Sequence, residues 1–150
     1  MTKFLTAMTL IGLFAFKSYA NVDDLKNLAE AVTQLRQLVT EMDTLYNKGQ
    51  IKGDVKVIVA LNLRTSEVLK YCAVIEGNFA KVAPPEVLTA RQEARDRSIM
   101  KAESLLDTNI SAALLSAQSG LVRNLENTKY CLGLTSRLAI RANISQGTNP

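Results

Sequence analysis

Cys72 and Cys131 are the only cysteines in a chain of 150 residues. They stand too far apart for a Cys-x-x-Cys redox pair, and two thiolates alone cannot complete a four-ligand zinc cage. In an oxidising compartment an even count of two predicts one disulfide. The closed loop spans about 59 residues, for which loop closure contributes roughly 4 kcal/mol.

Histidine is absent, as is tryptophan. The missing histidine removes the commonest general base and the commonest metal ligand, and with it Ser–His and Cys–His nucleophile pairs. Asp23 with Asp24 and Glu93 with Asp96 are the closest carboxylate pairs. Acid–base work on a glycosidic bond needs two carboxyls across a cleft with separated pKa values, and pairs on helical turns do not provide that. The expectation is a protein with no catalytic residues, no metal site and no cofactor.

Basic side chains offer the better candidate site. Arg91, Arg95 and Arg97, with Lys101 following, crowd into a short charged stretch. Arginine is enriched at interface hot spots, so these four residues are the candidate partner-binding set, suited to an acidic protein. Glu93 and Arg97 also have the spacing of a helical ion pair, which makes a solvated helix face the competing reading. On either reading, charge reversal at Arg95 is expected to leave folding almost unchanged, because exposed ion pairs contribute little. Tyr71 and Tyr130 each precede a cysteine, where their rings are placed to shield the bridge.

These residues need elements to hold them. Residues 1–20 are set apart from the rest. Lys3 gives a positive start, residues 4–16 are almost unbroken apolar, and Ser18 and Ala20 are small residues before Asn21. That is the layout of a cleaved signal peptide. The run is shorter than the roughly 20 residues a membrane span needs, so no stable anchor is expected after cleavage. The mature protein is then periplasmic or secreted. Loss of Lys3 and Lys17 lowers the basic count from 18 to 16 against 14 acids, so the formal charge falls from +4 to +2. With no basic block left, a nucleic-acid footprint is not expected.

From residue 21 the periodicity is helical. Leu25, Leu28, Val32, Leu35, Val39, Met42 and Tyr46 alternate spacings of three and four, an a/d stripe suited to a bundle core or to a homo-oligomer formed through this first helix. Asp54 is placed to cap a second helix whose stripe is Val57, Leu61, Val68, Cys72, Ile75 and Phe79. Ala83-Pro84-Pro85 breaks the chain and starts a third helix, with an interruption expected at residues 107–109. Ser119-Gly120 reads as a turn before a last helix of about residues 121–142, striped by Leu121, Leu125, Thr128, Leu132, Thr135 and Leu138 with Cys131 beside them. Residues 143–150 read as a flexible tail.

The predicted fold is therefore all-α: a four-helix bundle-like single domain over residues 21–142, pinned by Cys72–Cys131. The predicted function is an exported, non-enzymatic binding module acting by protein–protein contact, as an inhibitor, accessory factor or subunit of an envelope or secretion assembly. A carrier of an apolar ligand in the bundle interior and a His-independent enzyme are the alternatives.

Overall fold

A computed structural model describes residues 22–47, 50–51 and 54–145, with side chains over 27–46, 51 and 54–136. The predicted signal peptide, the side chains of Asp23, Asp24, Leu25 and Leu138, and residues 146–150 lie outside the described set. The chain divides into two compact units, Met1–Ala31 and Val32–Pro150. In the first, the described residues form the opening turns of helix α1 (Val22–Leu45). The second unit begins within α1 and carries β1 (Tyr46–Asn47), β2 (Gln50–Ile51), α2 (Val55–Leu69), α3 (Cys72–Ala80), α4 (Pro85–Ser104) and α5 (Ala112–Ser145). It is all-α and bundle-like, apart from the two-residue antiparallel ladder that pairs Tyr46 with Ile51 and Asn47 with Gln50.

Local signals account for the boundaries. Asp54 adopts extended backbone and its Oδ1 accepts from the Val57 amide at 3.0 Å, so it is the N-cap of α2 as expected. The second predicted helix is broken in two at Lys70-Tyr71. The Tyr71 amide donates to Val68 O at 3.1 Å, an i→i+3 bond that tightens the turn. Both Lys70 and Tyr71 keep right-handed helical dihedrals, so the chain restarts at once with Cys72 as the first residue of α3. Pro84 is extended and Pro85 opens α4, where its missing N–H costs nothing. The chain leaves α4 at Ser104, and Asp107 Oδ1 accepts from the Asn109 amide at 2.8 Å in the bend. Ser111 Oγ then accepts from the Leu114 amide at 3.2 Å and caps α5.

The last helix differs from expectation. It begins at Ala112 rather than near residue 121, passes through Ser119-Gly120 without a turn, and continues to Ser145 beyond the expected end at residue 142. The reason is packing. A Cβ at Gly120 would stand 2.9 Å from Asn62 Nδ2. Asn62 Nδ2 donates to Ala117 O at 3.0 Å, and Asn62 Oδ1 accepts from Asn124 Nδ2 at 3.1 Å. Gly120 is thus the space that admits Asn62 to the flank of α5.

Helix α5 is the hub of the second unit, with α2, α3 and α4 packed on it. Leu121, Val122, Leu125, Cys131 and Leu134 of α5 are fully buried, as are Ile58 of α2 and Ile75 and Phe79 of α3. From α1 come Leu35, Leu38 and Met42; Val39, expected in the stripe, is only half-buried. Similarly, Ile58 is buried while the predicted Val57 is 49% exposed. Arg64 reaches Glu41 at 2.8 Å and Lys129 reaches Asp43 at 3.4 Å, which ties the end of α1 to α2 and α5.

Candidate functional site

Helix α4 holds all four predicted partner-binding residues, but it does not present them on one face. At 100° per residue, Arg91 and Arg95 lie within about 40° of each other, whereas Arg97 is turned some 160° from Arg95. Arg91 and Arg95 face α5. Arg91 Nη1 lies over Gly133, 3.7 Å from where a Cβ would stand. The Arg95 side chain is only 24% exposed. Its guanidinium carbon sits 4.7 Å from the centre of the Tyr130 ring, a cation–π contact, and Nη2 pairs with Asp96 Oδ1 at 3.0 Å. Arg97 and Lys101 stand exposed on the opposite face, about 40° apart, with Met100, which is 70% exposed, about 60° round the helix from Arg97. The reading of Arg95 as a solvated ion-pair residue is therefore corrected: its guanidinium is stacked on Tyr130 between α4 and α5, so charge reversal there is expected to destabilise the fold.

Tyr130 is the centre of a polar cluster that joins three helices. Its hydroxyl donates to Glu76 Oε2 at 2.5 Å, and the same oxygen accepts from Gln92 Nε2 at 3.1 Å. Glu76 comes from α3, Gln92 and Arg95 from α4, and Tyr130 from α5. Burial pushes the Tyr130 phenol well above its usual range; the bond to Glu76 and that carboxylate's charge push the same way, and Arg95 opposes them. Tyr130 therefore stays a neutral donor, with Arg95 charged above its ring.

The disulfide lies next to this cluster. Cys72 and Cys131 are bonded across α3 and α5, with Cα atoms 5.7 Å apart. Cys131 is fully buried and Cys72 half-buried. Tyr130 adjoins the bridge in sequence as expected, but its ring is committed to Arg95 and its hydroxyl to Glu76. A second polar tie closes the other end of α4. Glu103 Oε2 accepts from Arg123 Nε at 2.5 Å and from Ser119 Oγ at 2.8 Å.

Glu76, Gln92, Asn62 and Glu103 were not signalled by sequence. Their partners lie between 16 and 62 residues away, and no short-range pattern marks them. Glu93 and Asp96 are both exposed on α4. Among the described residues, no group of three His, Cys, Asp or Glu is placed to hold a metal ion, and no helix is long and apolar enough to cross a membrane. Compared with known proteins, the chain matches no family model, no curated protein and no solved structure.

Proposed function

We propose that the protein is an exported, non-enzymatic helical binding module that works by protein–protein contact, with the solvent face of α4 as its docking surface. The observation that carries this reading is the exposed group Arg97, Met100 and Lys101. Two cations stand beside an unbranched apolar side chain that adapts to irregular pockets. A partner of matching chemistry is an acidic protein surface with an apolar recess. Arg91 and Arg95, proposed from sequence as contacts, become the residues that fix α4 on α5. Export rests on the layout of residues 1–20, and the disulfide fits an oxidising compartment. An interior filled by Leu35, Met42, Phe79, Leu121 and Leu125 favours this reading over a ligand carrier.

The test uses the full coding sequence with its own leader. Intact mass of the exported product should begin at Asn21; retention of Met1 would remove export. A photo-crosslinking residue at position 100 should capture one acidic protein from the native envelope. The double variant Arg97→Glu, Lys101→Glu should lose that capture at low salt, mainly through a slower on-rate. Its melting temperature should stay near that of the wild type, whereas Arg95→Glu lowers it. Equal capture by wild type and double variant would sink the α4 face as the docking surface.

A further inference from the structure

Helix α2 has a second, outward face that the core does not use. Ile58, Leu61, Thr65 and Val68 are its buried side. Asn62 turns to α5 on one flank and Arg64 to Glu41 of α1 on the other. Between those flanks, Lys56, Val59, Ala60, Leu63, Glu67 and Lys70 are all exposed and fall within an arc of about 100°. The middle of the stripe is apolar, with Leu63 65% exposed and Val59 41% exposed. The first turn of the stripe carries Lys56; its other end carries Glu67, whose carboxylate pairs with Lys70 Nζ at 2.7 Å on the same face.

We propose that this face pairs with the same face of a second copy of the chain, as an antiparallel helix pair about a two-fold axis. The stripe is complementary to itself in that orientation. With the axis between residues 61 and 62, Ala60 of one copy stands level with Leu63 of the other, a small residue opposite a large one. Lys56 of one copy stands level with Glu67 of the other, and the axis repeats the pair. Within one helix Lys56 and Glu67 are eleven positions apart, about 16 Å, so they meet only between copies, where Lys56 shares the Glu67 carboxylate with Lys70 of that second copy. Helices pack at 8–10 Å between axes when such ridges interlock. A C2 contact uses one patch twice, which is the property this sequence has. The inference concerns a different surface and a different partner from the α4 reading and does not depend on it.

The pairing is weak by size. A helix of 15 residues is about 22 Å long, and one face of it falls short of the roughly 800 Å² per partner of a stable complex. Light scattering and sedimentation of the mature protein should give a monomer at about 10 µM and a dimer at about 1 mM. Leu63→Glu should be monomeric throughout. Lys56→Glu alone and Glu67→Lys alone should each fail to self-associate, because each places like charges opposite one another twice. Mixed together they should form a heterodimer, and the variant carrying both changes should dimerise as the wild type does. All substitutions lie on exposed positions, and unchanged circular dichroism will confirm the fold. A wild type that stays monomeric at about 1 mM overturns the proposal. A dimer indifferent to Leu63→Glu overturns it too and moves the contact elsewhere, as does Leu63→Glu abolishing capture of a different protein while the wild type stays monomeric.

Discussion

Tyr130 shows how one side chain can serve three helices. Its ring carries Arg95, its hydroxyl serves Glu76, and its backbone neighbour is the buried half of the disulfide. Replacing it with phenylalanine keeps the stack but leaves Glu76 with only Gln92 among these partners. A hydrogen bond to a charged group contributes about 1.5–3 kcal/mol; this one is part-exposed, so we expect a loss near the lower end in urea unfolding at pH 7. The pH dependence has a definite sign. The folded phenol is raised above the unfolded value of about 10. Its contribution is complete below pH 10 and is lost as the pH climbs from there toward the folded value, because the unfolded state ionises first. Stability of wild type minus Tyr130→Phe should therefore be flat up to about pH 9 and decline above about pH 10. A flat difference to the alkaline limit of the folded protein would show that Tyr130 titrates normally.

At the scale of the element, the contact between α2 and α5 turns on Gly120. Alanine normally improves a helix interior by about 1 kcal/mol over glycine. Here the added methyl meets Asn62 Nδ2 at 2.9 Å, and that amide is held by Ala117 O on one side and Asn124 on the other. Gly120→Ala should destabilise the wild type, yet stabilise a protein that already carries Asn62→Ala. Thermal unfolding of the four members of this cycle gives the coupling. Equal effects of Gly120→Ala in both backgrounds would mean that the glycine is there for some other reason. The same position explains one misread boundary. Ser119-Gly120 has the composition of a turn, and nothing local distinguishes a turn from a close approach. The neighbour that decides it lies 58 residues earlier.

Other elements were legible to different degrees, for physical reasons. The Asp54 cap, the Pro84-Pro85 break and the Asp107 bend depend on backbone chemistry within three residues, and each stands where the sequence indicates. Phase along a helix is harder. In α1 a strict seven-residue repeat selects Val39, whereas a straight helix drifts against that repeat and turns Leu38 inward instead. In α2 residues 55–59 are β-branched apart from Lys56 and put apolar side chains on several sides of the helix, so only the neighbours choose Ile58 over Val57. The charged stretch of α4 was visible as composition, but the division between Arg95 and Arg97 was fixed by Tyr130, 35 residues from Arg95.

For the whole molecule, the disulfide is the longest-range covalent tie. Cys72–Cys131 closes 59 residues, with a ceiling of roughly 4 kcal/mol on its contribution. Alkylation of protein from its native compartment should label two thiols only after reduction. Replacing both cysteines by serine should lower the midpoint of unfolding, and by less than that ceiling, since Glu103–Arg123 and the Tyr130 cluster still hold α4 to α5. Two labelled thiols without reduction would remove the bridge from the native protein.

The position of α5 in the chain has a further effect, on the order of events at birth. Helices α2, α3 and α4 all close on a segment that starts at Ala112. Until Ala112–Ser145 has been made, their apolar sides lack the surface on which they settle, and Cys72 has no partner. Helix α5 must therefore be synthesised before the core can assemble. Any machinery that handles it meets a chain whose three middle helices wait, unpacked, for the fourth part to arrive.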